Sequence, residues 1–439
     1  MDRTGRRRLP GSYWRLWTAS GISNLGDGVL LAALPLLAAR STDSALSVSL
    51  ISTFFTIPWL LFALPAGALI DRFDRRRILV SADLFRGMLV AGLAGIAAIS
   101  DVQIWMLWIL AFGLGVGEVF FDSTSQAILP AIVPADSLEQ ANGWRYSVEM
   151  ATNTFLGLPV GSVLFAAAVW MPFGVDAASF VVAAVLAASL RGSFKPAAAA
   201  TPQSMRADVS EGFRWLWRHQ LLRNLAIGLA LTNLAFAACE STFVLFATRE
   251  LGVSERFFGP LVAVVGGGSI LAGMLGSKLV HKVGRRFAIL VAAFAPAVTM
   301  TAIGTVAVTW WVVAMTTVQA VMITIWSIIA VSLRQQIVPE HLFGRVNSVY
   351  RWFSWGAMPI GGVLGGLVAQ QFGLRAPYFF GAAVILVAYV LIATHVTESA
   401  IAKAISANRP PQSQSPAEFP AEDDATPISL ERDPFDELL

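Results

Sequence analysis

The sequence has 439 residues, of which 56% are hydrophobic and only 13% are charged, and its formal net charge is +3. A soluble protein of this composition would expose large apolar patches and aggregate, so we expect a polytopic membrane protein. The single cysteine, Cys239, excludes a disulfide or a cysteine-based metal site within one chain. The basic residues fall in separate turns, which is not typical of a nucleic-acid-binding protein.

Twelve apolar segments are long enough to cross a bilayer, because a helical span needs about 20 residues. They cover approximately residues 14–39, 46–70, 78–99, 104–129, 139–168, 173–191, 223–248, 257–280, 287–307, 311–334, 344–370 and 376–396. The fold class is therefore an all-α membrane protein with twelve transmembrane helices in two six-helix bundles. The predicted regions are a cytoplasmic N-terminus (1–13), a first bundle (14–191), a linker with an amphipathic helix (192–222), a second bundle (223–396) and a disordered acidic tail (397–439).

The loop charges predict which side of the membrane each link occupies, since Lys and Arg stay on the cytoplasmic side. Three links on one side are basic, whereas those on the other side, near residues 101, 171 and 309, contain no Lys or Arg. The basic links are 72–77, 191–223 and 278–286. We therefore expect both termini in the cytoplasm, where the positive charge of the chain outside its acidic tail suits anionic membrane lipids.

Short sequence pairs recur in the second half of the chain, in the same order and at nearly constant spacing. The pairs are Asn24-Leu25 with Asn233-Leu234 (offset 209), Arg75-Arg76 with Arg285-Arg286 (offset 210), and Val133-Pro134 with Val338-Pro339 (offset 205). Three such echoes indicate a duplication, as in transporters whose two six-helix halves surround a site at the membrane midplane.

The link between the second and third apolar segments carries a spaced set of residues: Gly67, Asp71, Arg72, Arg75 and Arg76. This set resembles the loop between helices 2 and 3 of the major facilitator superfamily, although Asp74 stands where that pattern usually has glycine. Ser23-Asn-Leu-Gly-Asp-Gly28 and Asp83-Leu-Phe-Arg86 narrow the resemblance to an exporter branch that includes macrolide and enterobactin exporters. The resemblance covers residues 14–396 and implies a conformational latch, in which Asp71 meets the start of helix 11, around residues 340–345.

The resemblance implies a monomeric secondary transporter of a bacterial-type inner membrane that exports amphipathic small molecules or drugs by alternating access. No Gly-x-x-x-x-Gly-Lys-Ser/Thr stretch offers an ATP site, so we expect a proton gradient as energy source, with no cofactor or metal and no enzymatic activity. One alternative is a dedicated exporter of a siderophore, a lipid or another metabolite. Another is a membrane scaffold or sensor, which would not need carboxylates inside the membrane.

Ionisable side chains inside lipid-spanning helices are costly, so each is a candidate for proton coupling or for the substrate cavity. The candidates are Asp27, Glu118, Asp122, Arg145, Glu149, Glu240 and Arg351. Asp27 and Glu118 lie near the predicted midplane without an opposite charge within one helical turn, so we expect them to carry the proton. Arg145 and Glu149 could equally form a structural pair across one turn.

Three further features receive other interpretations. We expect Asp83 and Arg86 to form a local pair near the cytoplasmic end of helix 3, and Asp176 to cap helix 6 at the interface. Helix 4 has no arginine, unlike many proton-coupled members of the superfamily. Gly157-x-Pro159-x-Gly161 in helix 5 loosely resembles the family's antiporter motif, and its small residues permit close helix approach.

Overall fold

The computed structural model describes residues 9–70, 72–134, 137–190, 194–195, 205–267, 282, 284–339 and 342–406. Within these residues the regular structure is helical, and eleven helices are long and apolar enough to cross a membrane. Residues 255–267 form a further helix, and the rest of the predicted 257–280 span lies outside the described residues. These helices confirm the prediction of an all-α membrane protein. A helix suits the lipid interior because it satisfies its backbone hydrogen bonds internally.

The first half of the chain contains six spans. They are α1 (Gly11–Ser41), α2 (Ala45–Ile70), α3 (Arg75–Ile99), α4 (Ile104–Ile132), a fifth span made of α5 (Leu138–Glu149), a π-helical segment (Met150–Gly157) and α6 (Leu158–Ala167), and α7 (Met171–Ala188). Asp74 caps α3, since its side chain accepts a 2.9 Å hydrogen bond from the amide of Arg76. The residue that departs from the family pattern therefore begins the third span.

The second half repeats this organisation after the linker helix α8 (Met205–Arg218). Its elements are α9 (Gln220–Glu240), α10 (Phe243–Leu245), a π-helical segment (Phe246–Glu250), α11 (255–267), α12 (Arg285–Thr305), α13 (Thr309–Ile337), α14 (Phe343–Phe372), α15 (Ala376–His395) and α16 (Glu398–Ser406). Composition placed 397–439 in a disordered tail, and this is wrong for residues 398–406. They form α16 because the segment is amphipathic, and its Ala404 packs on the core of the second half.

The links between the spans lie at two faces of the bundle, which we call the termini face and the opposite face. The termini face carries the links 70–75, 132–138, 188–220 and 337–343 and both described ends of the chain, whereas the opposite face carries 41–45, 99–104, 167–171, 250–255, 305–309 and 372–376. Successive spans run in opposite directions between these faces. The described parts of the basic links 72–77 and 191–223 therefore belong to the termini face, as do Arg285 and Arg286 at the start of α12, whereas most of the third link, 278–286, lies outside the described residues.

The helix packing is repeated between the halves. In the first half α1 packs on α7, and α3 packs on both α4 and α7. In the second half α9 packs on α15, and α12 packs on both α13 and α15, so spans 1, 3, 4 and 6 of each half have the same neighbours. This correspondence agrees with the duplication read from the sequence.

The halves contact each other along α2 and α14, in the part of the bundle nearer the opposite face. The hydroxyl of Thr53 donates a 3.4 Å hydrogen bond to the carbonyl of Pro359, and the rings of Trp59 and Trp355 meet edge to face with centroids 5.0 Å apart. At the rim of this face, the guanidinium of Arg40 forms an ion pair with Glu255 of α11. These contacts join the halves on the side away from the chain termini.

Candidate functional site

A single arginine lies at the middle of the first half. Arg86 is the twelfth of the 25 residues of α3, and only 1% of it is exposed. The neighbouring helix leaves room for it, because a Cβ on Gly117 of α4 would overlap the Cγ of Arg86. The sequence thus places a permanent charge in the apolar interior, where it must be compensated by groups of the opposite sign.

Three carboxylates from three helices surround the Arg86 guanidinium. Its Nη2 donates a 2.7 Å hydrogen bond to Asp83, one turn earlier on α3, and its Nη1 donates a 2.5 Å hydrogen bond to Glu118 of α4. The same Nη1 lies 3.6 Å from the Oδ1 of Asp27 on α1, and Nη2 lies 3.5 Å from the hydroxyl of Ser23. We call Asp27, Asp83, Arg86 and Glu118 the Arg86 cluster.

Two aromatic rings hold the guanidinium in place. Its carbon lies 4.5 Å from the ring centroid of Phe121 on α4 and 4.4 Å from that of Phe180 on α7. Cation–π contacts of this kind stabilise a desolvated arginine and fix its planar group. Arg86 is therefore oriented by α4 and α7, while its donors point to carboxylates of α1, α3 and α4.

The charges in the Arg86 cluster do not balance when every carboxyl group is ionised. Three carboxylates face one guanidinium, which leaves two negative charges in the middle of the span. The side chains of Asp27 and Glu118 are 21% and 30% exposed, whereas Arg86 and Asp83 are 1% exposed. The carboxyl groups of Asp27 and Glu118 are thus accessible enough to gain or lose a proton. A proton on either of them reduces the excess of negative charge.

Asp176 does not cap the sixth span, so the expectation of a cap is wrong. It is fully buried in the second turn of α7, where a Cβ on Gly26, the residue before Asp27, would overlap its carboxylate. Its Oδ1 accepts a 3.3 Å hydrogen bond from Ser179, and its Oδ2 has no partner among the described residues. The sixth span begins at Met171, five residues before Asp176, so this position is already inside the bundle.

Asp83 and Arg86 do pair as expected, but they are not confined to a local pair near one end of the helix. Counting the span from residue 78 put Arg86 near its start, whereas α3 begins at Arg75 and places it at the centre. Arg86 also supplies the opposite charge that Asp27 and Glu118 lack within one turn of their own helices. The central position of Arg86 in an apolar run could have identified it from the sequence. Asp83, one turn earlier, suggested a local pair instead.

A second charged group lies on α4 and α5, nearer the termini face. Arg145 is 3.7 Å from Glu149, one turn later, and 4.0 Å from Asp122. Asp122 also accepts a 2.8 Å hydrogen bond from Gln126, and all three charged side chains are partly exposed. The structural pair of Arg145 and Glu149 is thus present, and it is joined by a carboxylate of the fourth span.

The second half holds the two remaining candidates apart from the Arg86 cluster. Glu240, at the end of α9, lines a cavity of about 240 Å³ between α9, α12 and α13. The guanidinium carbon of Arg351, in α14, lies 5.0 Å from the ring centroid of Trp355. Neither residue forms an ion pair with the Arg86 cluster among the described residues.

The helix-5 motif packs the fifth span on the first. A Cβ on Gly157 would lie 2.6 Å from the Cα of Gly28, and a Cβ on Gly161 would overlap the carbonyl of Val29. Pro159 follows the π-helical segment, and since it has no amide hydrogen it cannot donate to the preceding turn. The motif therefore positions α1, which carries Asp27, and its role in transport stays a prediction.

The latch motif is described only in part, because Asp71 and residues 340–341 lie outside the described residues. Gly67 lies in the last turn of α2, and Arg72 is exposed in the link. Arg75 donates a 2.9 Å hydrogen bond to the carbonyl of Ala127, and Arg76 donates one of the same length to that of Leu190. These two arginines thus tie α3 to α4 and to the chain just after α7 within the first half.

Solved structures of known transporters share this fold. A bacterial homologue of the iron transporter ferroportin in an inward-facing state aligns with a TM-score of 0.67 at 18% identity, covering 91% of this chain and all of the other. The nucleoside transporter NupG aligns with a TM-score of 0.72 at 11% identity, covering 87% of this chain and 99% of the other. These similarities confirm the fold, with its two six-helix bundles.

Sequence comparison gives the family. The multidrug efflux pump Tap of Mycolicibacterium fortuitum is 27% identical over 366 residues, which is 80% of this chain and 88% of that protein. Macrolide efflux protein A of Streptococcus pyogenes is 22% identical over 372 residues, covering 83% of this chain and 90% of that protein. Residues 11–432 match the family described as transmembrane secretion effectors, so the chain belongs to that family of the major facilitator superfamily.

Proposed function

We propose that this protein exports amphipathic small molecules from the cytoplasm in exchange for protons, with its termini face in the cytoplasm. Its efflux-pump relatives support the direction and the substrate class, and the basic links of the termini face support the orientation. Transport would proceed by alternating access, in which the contacts of α2 with α14 open when the termini face closes. The described conformation then represents the state closed at the opposite face.

The observation that carries the proton-coupling proposal is the excess of carboxylates around Arg86. The guanidinium stays charged throughout, whereas Asp27 and Glu118 are partly exposed to the internal space. A proton that enters from the opposite face would bond to a carboxylate oxygen of one of these residues and weaken its contact with Arg86. The same O–H bond would break when that residue again faces Arg86 and the cytoplasmic side, which releases the proton there.

The coupling can be tested in proteoliposomes with an imposed pH gradient and a panel of macrolides and other amphipathic drugs. We expect Asp27→Asn or Glu118→Gln to abolish gradient-driven transport, while exchange of labelled for unlabelled substrate without a gradient survives in at least one of them. Each substitution removes an exchangeable proton but keeps the size of the side chain. Reconstitution yield and monodispersity check that the variants are folded.

Glu250→Gln is the matched control, because Glu250 pairs with Arg375 within the second half and not with the Arg86 cluster. It should retain gradient-driven transport. If Asp27→Asn and Glu118→Gln both retain full gradient-driven transport, the assignment of coupling to these two residues is wrong. Asp122, Glu149 and Glu240 would then be the next carboxylates to substitute.

A further inference from the structure

The cavity of the second half occupies the position that corresponds to the Arg86 cluster. Spans α4 and α13 both have 29 residues, and an offset of 205 superimposes both of their ends. An offset of 210 superimposes the starts of α3 and α12, and the Asn-Leu pairs of α1 and α9 are 209 apart. These three offsets assign a counterpart to every residue of the cluster.

The counterparts of the Arg86 cluster are all uncharged. Asp27, Asp83, Arg86 and Glu118 correspond to Phe236, Ala293, Pro296 and Ile323, and all four of these counterparts line the cavity. Phe121, which packs on the guanidinium in the first half, corresponds to Trp326 on the cavity wall. The corresponding site of the second half thus lacks the arginine and the three carboxylates, and the cavity lies where they would be.

One carboxylate is present at this second site and absent from the first. Glu240 is the charged residue of the cavity lining, and its counterpart in the first half is the apolar Leu31. Among the described residues, no arginine, lysine or histidine forms an ion pair with Glu240. A carboxylate in a membrane span without such a partner favours a cationic ligand, or a proton in its absence.

The remaining wall is suited to an aromatic ligand. Phe236 of α9, Pro296 of α12 and Trp326 of α13 all line the cavity. The indole N–H of Trp326 is buried and has no acceptor among the described residues. A volume of about 240 Å³ is just below the range of about 300–1,000 Å³ that is usual for drug-sized ligands, and it suits one or two fused rings.

We propose that this cavity is a substrate-binding site for lipophilic organic monocations, with the cationic group facing Glu240 and the ring system packed on Phe236 and Trp326. This inference rests on the proposed efflux function and makes it more specific. The first half then handles protons at the Arg86 cluster, and the second half holds the substrate at the duplicated position. A cation and a proton are thus bound at separate carboxylates, one in each half.

The test uses two probes of the same shape, the monocation N-methylquinolinium and its neutral isostere 1-methylnaphthalene. Binding to the purified full-length protein in nanodiscs is measured by calorimetry, with empty nanodiscs subtracted. We expect the cation to bind about tenfold more tightly than the neutral probe, and Glu240→Gln to remove this difference. Glu250→Gln is the control, because Glu250 pairs with Arg375 at the opposite face, and it should leave both affinities unchanged.

Trp326→Leu keeps an apolar wall but removes the aromatic ring. It should lower the binding affinity for both probes by about the same factor. This second variant also tests the site if Glu240→Gln does not fold. The inference is overturned if the wild type does not bind the cation, if Glu240→Gln binds it as tightly as the wild type, or if Trp326→Leu affects neither probe. Binding needs no pH gradient, so a failure of gradient-driven export with intact cation binding would reject the proposed function and not this site.

Discussion

The amide of Gly259 in α11 donates a 2.6 Å hydrogen bond to the hydroxyl of Ser162 in α6, which joins the two halves of the protein directly. A Cβ on Gly259 would overlap the carbonyl of Leu158, so the two helices meet with their backbones in contact. Only glycine permits this approach, because any side chain would separate the helices. The fifth and eighth spans are thus held together toward the opposite face, as are α2 and α14.

Gly259→Val should prevent this contact and favour conformations that are open at the opposite face. The β-branched side chain cannot be accommodated against the backbone of α6 unless the helices move apart. The measurement is the rate at which an impermeant thiol reagent labels a cysteine introduced at Thr53, in a chain without Cys239. We expect a rate at least severalfold higher than in the same background with glycine at position 259.

Gly267→Val is the matched control for this experiment. Gly267 lies on the same helix two turns later, and a Cβ there would have no heavy atom within 4 Å. Labelling should therefore remain at the rate of the parent chain. Equal labelling of the two variants at the increased rate would mean that helix propensity, and not the contact of Gly259 with α6, controls the opening.

The orientation of the bundle is testable with single cysteines on its two faces. Val308 lies in the exposed link before α13 at the opposite face, whereas Arg77 is exposed in the first turn of α3 at the termini face. In a chain with Cys239→Ala, an impermeant reagent added to intact cells should label Val308→Cys and not Arg77→Cys. Permeabilised cells should show labelling of both. The reverse pattern in intact cells would contradict the cytoplasmic assignment of the termini face.

The linker helix α8 should stabilise the second half. Its Phe213 stacks on Phe353 of α14 with ring centroids 6.2 Å apart, and Glu211 forms an ion pair with Arg345 at the start of α14. Phe213→Ala should therefore lower the melting temperature of the purified protein by a few degrees. The ion pair is partly exposed, so Glu211→Gln should change it by less. Equal effects of the two substitutions would show that the aromatic contact is not the main attachment.

The sequence predicted the spans well because the requirement for about 20 apolar residues is local and independent of the neighbouring helices. It also identified Asp27 and Glu118, since an ionisable group in an apolar run is conspicuous by itself. It did not identify Arg86 as their partner, because that contact brings together residues of α1, α3 and α4 that are far apart in the chain. Asp176 was misplaced for a similar reason, as its burial depends on the approach of α1 at Gly26.

The contacts of Arg86 predict that its removal is harmful mainly through the charges left behind. Arg86→Leu leaves three carboxylates without their cation, and breaking a buried ion pair in this way typically costs about 3–5 kcal/mol. We expect a large loss of folded protein, measured by thermal unfolding and by the monodisperse yield. Asp83→Asn in the same chain removes the most deeply buried of the three carboxylates, so it should restore much of the stability but not gradient-driven transport.

Arg86→Lys tests the geometry, because an ammonium group keeps the charge but lacks the planar set of donors that lets a guanidinium bond to two carboxylates at once. It should fold better than Arg86→Leu and still transport poorly. If Asp83→Asn fails to stabilise Arg86→Leu, the shape of the guanidinium between Phe121 and Phe180 matters more than its charge.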